Sequence, residues 1–84
     1  MNHTLYVETK ETAAVLERLL RVVRHRGFAL RSLNVAPSRK AGRLSITATV
    51  SSSRSIDLLL NTLMKLYDVA AVEVIQDQAV PVTG

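Results

Sequence analysis

The sequence has no cysteine, few aromatic residues and no long hydrophobic run. Without cysteine, the 84-residue chain has no disulfide framework and no thiolate metal site. No apolar stretch approaches the roughly 20 residues that a membrane-spanning helix needs, and the polar residues 1–4 do not resemble a secretory signal. The only aromatic residues are Tyr6, Phe28 and Tyr67. We therefore expect a cytoplasmic protein without the aromatic stacking surface that single-strand nucleic-acid binders use.

The composition is that of a small, basic, globular domain. Apolar residues make up 48% of the chain, and 11 basic residues against 7 acidic ones give a net charge of +4. A basic surface can bind nucleic acid, but it can equally bind an acidic protein partner. A chain of this length forms one domain with a thin core, so association with another chain would add to its stability.

The central feature of the sequence is an amphipathic helix that ends at a glycine. Residues 13–25 repeat apolar side chains with helical spacing, and Thr12 precedes them as a candidate N-cap. Gly27 follows where a left-handed residue would end the helix without steric cost. The predicted buried face comprises Val15, Leu16, Leu19, Leu20, Val22 and Val23.

A second helix and four strands complete the predicted fold. The strands cover residues 3–8, 28–36, 44–50 and 69–75, with a bulge expected near Ser32. The second helix is predicted over residues 55–67, and the three serines before it, Ser51, Ser52 and Ser53, are its cap candidates. Its predicted buried stripe comprises Ile56, Leu59, Leu60, Leu63, Leu66 and Tyr67. The order βαββαβ predicts an α+β, ferredoxin-like fold, a four-stranded antiparallel sheet with both helices on one face. We expect a single domain over residues 1–76 and a flexible tail over residues 77–84.

The sequence contains no constellation that predicts catalysis. His3 and His25 are far apart, and no carboxylate lies at metal-ligand spacing from either. Glu8 and Glu11 do not by themselves make an acid–base pair, and no serine stands in a nucleophile-elbow motif. The residues therefore indicate a binding or regulatory module with no catalytic or metal-ligating residues and no cofactor of its own.

Three surfaces are candidates for partner contact. Arg18, Arg21 and Arg24 follow one another at helical spacing, which is typical either of a solvated helix face or of a site for an acidic protein surface. Leu58 is expected on the polar side of the second helix, as a stray apolar residue or an anchor. The third surface is the turn that contains Arg39 and Lys40.

Three blocks of sequence resemble the ACT-domain small regulatory subunits of acetolactate synthase, in particular the short isozyme II type. They are residues 16–28, 32–36 and 66–72. The resemblance implies an ACT domain that binds and activates a larger catalytic subunit in valine, leucine and isoleucine biosynthesis. That partner would carry thiamine diphosphate, magnesium and FAD. The resemblance also implies pairing of ACT domains into a homodimer.

The resemblance places an amino-acid effector site at Thr12, Ala13, Ala14 and Ala29. Valine-inhibited relatives usually have glycine at the position of Ala14 and asparagine at that of Ala29. Alanine removes the close backbone approach that glycine allows and supplies no side-chain hydrogen bond, so we expect weak or absent valine feedback. Two alternatives remain: a free-standing amino-acid-sensing ACT dimer that controls another enzyme or regulator, and a basic nucleic-acid-binding module.

Overall fold

The computed structural model describes residues 2–12 and 14–78, except for the side chains of residues 76–78. The elements follow the predicted order: β1 (Asn2–Lys10), α1 (Val15–His25), β2 (Ala29–Pro37), β3 (Arg43–Ser51), α2 (Ile56–Met64) and β4 (Val69–Gln78). The four strands form one antiparallel sheet in the order β2-β3-β1-β4. The predicted ferredoxin-like arrangement is confirmed.

The core lies between the sheet and the two helices. Leu5 and Val7 of β1 pair with Ala48 and Ile46 of β3, and all four side chains are buried. This alternation makes one face of the sheet apolar while the intervening residues turn to the other face. The helices cover the apolar face with buried side chains from α1 (Val15, Leu19 and Val23) and α2 (Leu59 and Leu63).

The junction between α1 and β2 is a Schellman motif. Phe28 N–H donates to the Val23 carbonyl oxygen at 3.1 Å, and Gly27 N–H donates to the Arg24 carbonyl oxygen at 3.0 Å. Gly27 has φ of +83°, as the sequence predicted, and a Cβ there would lie 2.7 Å from Arg54 Nε. Phe28 is buried in the core, so the motif fixes where β2 enters the sheet.

The second helix differs from the prediction at both ends. Its N-cap is Ser55, whose hydroxyl accepts from Asp57 N–H at 3.3 Å, and not one of the three preceding serines. The helix ends at Met64, so Tyr67 is no longer in helical phase with the buried stripe. Tyr67 is 78% exposed, with Lys10 Nζ 4.7 Å from its ring centroid. The prediction of a buried Tyr67 was wrong because it extended the helical period past the helix end.

All four predicted strands are present, and each extends beyond its predicted C-terminal end. The expected bulge in β2 is confirmed by a register shift between Leu30 and Ser32. β4 continues to Gln78, two residues into the predicted tail, because its backbone still pairs with Asn2 of β1. Residues 79–84, the rest of that tail, lie outside the described residues. In the described part of the chain, neither helix is long and apolar enough to cross a membrane.

Candidate functional site

A buried carboxylate holds the segment that leads into α1. Asp68, in the turn between α2 and β4, is 1% exposed. Its Oδ2 accepts from the Thr12 hydroxyl at 2.6 Å and from Arg18 Nη1. Its backbone carbonyl accepts from Lys10 N–H at 2.8 Å. One residue therefore connects the end of β1, the loop before α1 and the first turns of α1.

The charge of Asp68 is stabilised by these contacts. The hydrogen bond from Thr12 is the largest cause that lowers the pKa of the Asp68 carboxyl below its usual value; burial opposes it, and Arg18 adds to it. The carboxylate is therefore ionised at neutral pH, the state in which both donors can bond to it. Sequence analysis missed this residue, because its two side-chain partners lie 56 and 50 residues away in the chain.

Ala14 begins α1 in an unusual conformation. It has φ of +64° and ψ of +15°, the left-handed region, and is the only non-glycine residue with positive φ in the described ranges 2–12 and 14–78. No side chain caps the helix there. The prediction of Thr12 as N-cap was wrong, because its hydroxyl donates to Asp68 instead, and the helix begins at Val15. Ala14 thus has a backbone conformation that glycine would adopt with a lower steric free-energy cost.

The structure brings together only part of the effector site that the resemblance implies. Thr12 and Ala14 line an open depression of about 310 Å³ whose other lining residues are Glu11, Val15, Leu16, Glu17 and Leu44. Ala29 pairs with Ser51 at the other end of the β2–β3 hairpin. Leu44 and Ser51 are seven positions apart on β3, about 23 Å along the strand. Ala13 lies outside the described residues.

The candidate partner contacts fall on three separate surfaces. Arg21 and Arg24 are exposed on the outer face of α1, where they line two depressions. Arg18 differs from them, because its side chain is only 45% exposed and pairs with Asp68. Leu58 is 48% exposed on α2. The fifth and sixth candidates, Arg39 and Lys40, are exposed in the turn between β2 and β3.

The face of the sheet opposite the helices carries polar side chains. Tyr6 Oη lies 3.0 Å from Ser45 Oγ, and Arg43 Nη1 donates to Glu8 Oε2 at 2.7 Å. The hydrogen bond from Arg43 is the largest cause that lowers the pKa of Glu8 below its usual value, against the opposing effect of burial. Among the residues that the structure describes, no three side chains of histidine, aspartate or glutamate cluster as metal ligands would.

The fold and sequence together identify the class of protein. The sequence profile of the ACT domain family matches residues 11–72. The solved ACT domain from the GTP pyrophosphokinase of Chlorobium tepidum superposes with a TM-score of 0.74 at 13% identity, over 89% of this chain and 97% of that one. The chain belongs to the ACT domain family.

Similarity to known proteins extends beyond the domain. The chain is 47% identical over 76 residues to the acetolactate synthase isozyme 2 small subunit of Escherichia coli K12, covering 90% of this chain and 87% of that one. The same protein of Shigella flexneri has the same identity. The acetolactate synthase small subunit of Thermotoga maritima shares the fold, with a TM-score of 0.81 at 20% identity, over 94% of this chain and 50% of that one. The 47% identity therefore shows that, within the ACT domain family, the chain belongs with the small subunits of acetolactate synthase.

Proposed function

We propose that this chain is the non-catalytic regulatory subunit of an acetolactate synthase and that it binds and activates the catalytic subunit. The observation that carries the proposal is the 47% identity to the E. coli isozyme 2 small subunit, over 90% of this chain. The enzyme would act in the biosynthesis of valine, leucine and isoleucine. We also propose that the chain is located in the cytoplasm. Activation means that the chain binds the active conformation of the large subunit more tightly than the inactive one.

In this proposal all the chemistry takes place in the partner. The catalytic subunit carries thiamine diphosphate, magnesium and FAD, and it condenses pyruvate with a second 2-oxo acid. This chain supplies a surface and no reacting group. Its most buried carboxylate, Asp68, supports that role, because it is bonded to Thr12 and Arg18 in a structural contact.

The proposal includes a homodimer formed through β2. In the described part of the chain, β2 pairs with β3 on one side only, and Leu33 and Val35 of this strand are only partly buried. Antiparallel pairing of two β2 strands would set Ala29 of one copy beside Pro37 of the other. Pro37 pairs with Leu44, which lines the depression that contains Thr12 and Ala14. Such a dimer would therefore bring Ala29 of one chain towards the depression that contains Thr12 and Ala14 of the other.

Weak or absent valine binding is part of the proposal. Alanine at positions 14 and 29 offers no side-chain hydrogen bond, and the Thr12 hydroxyl already donates to Asp68. The charged side chains that line the same depression, Glu11 and Glu17, are both carboxylates, so neither can pair with the carboxylate of an amino acid. A charged ligand that is left partly unpaired binds poorly.

Two measurements test the proposal. The first is co-purification of the chain with the acetolactate synthase large subunit of the same organism, followed by an assay of acetolactate formation with and without the chain. We expect a stable complex and a higher rate; separate elution together with an unchanged rate would contradict the proposal. The second is calorimetric titration of the complex with valine. We expect a dissociation constant above about 1 mM, which corresponds to a binding free energy weaker than about 4 kcal/mol. Submillimolar binding would instead favour an amino-acid sensor.

A further inference from the structure

We propose that the outer face of α1 is the surface that docks the catalytic subunit, and that it does so by binding an acidic segment of that subunit. The surface consists of Arg21, Arg24 and His25, and is called the basic ridge below. The inference rests on the proposed function, because it names the surface through which the regulatory subunit would act.

Arg21 and Arg24 of the basic ridge form no ion pair with another residue in the part of the chain that the structure describes. Between described residues, the structure has two ion pairs, Arg18 with Asp68 and Arg43 with Glu8. Arg21 and Arg24 take part in neither pair, and both side chains are exposed. Because both arginines are exposed and lie outside these ion pairs, the ridge is complementary to a negatively charged partner.

The shape of the ridge also fits a protein segment. Two adjoining depressions, of about 420 and 370 Å³, share Arg21 and Arg24 as walls. The first is completed by His25, and the second by Leu20 and Glu17. Arginine forks bind carboxylates in a bidentate, oriented way, and the partly buried Leu20 offers an apolar contact beside them. An acidic segment with an apolar residue matches this combination.

The length of the ridge favours a short protein segment over nucleic acid. From Arg21 to His25 the helix rises only about 6 Å, and Glu17 lines the depression that lies next to the ridge. The three aromatic residues do not extend the ridge into a stacking surface, since Phe28 is buried, Tyr6 bonds to Ser45 and Tyr67 lies against Lys10. On the opposite face of the sheet, Arg43 is paired with Glu8, so this arginine does not add a free positive charge.

The test uses the wild-type chain and three variants with the large subunit of the same organism. Arg21→Glu with Arg24→Glu reverses the charge of the ridge, and Arg21→Gln with Arg24→Gln removes it without adding repulsion. Arg39→Glu with Lys40→Glu makes a comparable charge change on the competing surface, the turn between β2 and β3. Circular dichroism and the oligomeric state of each isolated chain establish that it remains folded. The dissociation constant of each complex is then measured at 50 and 200 mM salt.

We expect the ridge reversal to weaken the complex by at least about tenfold at 50 mM salt, the neutral variant to weaken it less, and the wild-type complex to weaken with salt. The turn variant should bind like the wild type.

Equal binding by a folded ridge-reversal variant, or a loss confined to the turn variant, would overturn the inference while leaving the proposed function intact. If the wild-type chain does not bind the large subunit at all, the proposed function itself fails. If it instead shifts duplex DNA or single-stranded RNA at 200 mM salt and the ridge reversal abolishes that shift, the ridge is a nucleic-acid site and the inference is wrong.

Discussion

The two helices begin in different ways, although each follows a strand of the same sheet. Before α2, Ser55 has an extended backbone and its hydroxyl caps the helix through Asp57 N–H. Before α1, Ala14 is left-handed and has no side-chain cap. The preceding Thr12 is bonded to Asp68 instead, a residue from the other half of the chain.

This difference separates a helix start that is fixed by a local cap from one that is fixed by a long-range contact. A serine cap is a local device that the sequence of one helix supplies. The start of α1 depends on a long-range contact and keeps an alanine in a conformation that alanine disfavours. Such departures from local preference concentrate where a protein binds something. The depression beside Ala14 is lined by Thr12 and Ala14, two of the four effector positions that the family resemblance implies.

The largest expected effect is the loss of the contact that holds the start of α1. Asp68→Ala removes the acceptor that both Thr12 and Arg18 use, so we expect the melting temperature to fall by about 10 °C. Ser55→Ala removes only the local cap of α2, which costs about 1 kcal/mol, or about 5 °C in a domain of this size. Thermal melts followed by circular dichroism measure both.

A thermodynamic cycle sharpens this comparison. Thr12→Val should destabilise the wild-type chain but have much less effect in the Asp68→Ala background, because the two residues act through one hydrogen bond. Additive effects of the two substitutions, or a smaller fall for Asp68→Ala than for Ser55→Ala, would show that the start of α1 does not depend on Asp68.

Acid should weaken the Asp68 contact and leave the serine cap intact. The pKa values of Asp68 and Glu8 lie below their usual values of 3.8 and 4.5. Their stabilising contribution is therefore complete above those usual values and is lost as the pH falls through the lowered ones. We expect a melting temperature that is steady from pH 7 to about pH 5 and falls below about pH 4, with a shallower fall in Asp68→Asn. A melting temperature that rises in acid would contradict the ionised state of these carboxyls.

The smallest effect concerns the backbone of Ala14. Because glycine reaches positive φ without steric cost, Ala14→Gly should stabilise the chain by about 0.5–1 kcal/mol. Ala29→Gly is the matched control, because residue 29 does not have positive φ and the same substitution should destabilise there. Denaturant unfolding compares the two. If Ala14→Gly destabilises as much as Ala29→Gly, the left-handed start of α1 is not the conformation in solution.

The features that sequence predicted are those that depend on local periodicity. The buried side of α1, the left-handed Gly27 and the bulge between Leu30 and Ser32 follow from spacing and from single-residue preferences. Leu20 was also predicted on the buried face of α1, but it is only partly buried and lines a surface depression. Tyr67 was misplaced because periodicity does not show where a helix ends. Asp68 could not be found in this way, because a carboxylate bonded to Thr12 across 56 residues leaves no local pattern.

Local periodicity also fails to show which residues of a candidate site already have a partner elsewhere in the chain. Spacing alone grouped Arg18 with Arg21 and Arg24, and only the structure shows that Arg18 is bonded to Asp68 while the other two remain exposed. Reversal of the charge at Arg18 would therefore disturb the start of α1 as well as the surface. For this reason the basic ridge is best tested with Arg21 and Arg24.

The most direct measurement is a titration of the large subunit with this chain while acetolactate formation is followed at saturating pyruvate. Regulation by association predicts a rate that rises with added chain and reaches a plateau at a fixed ratio of the two proteins. A rate that stays at the value of the large subunit alone, across the whole titration and with both proteins folded, would contradict the account.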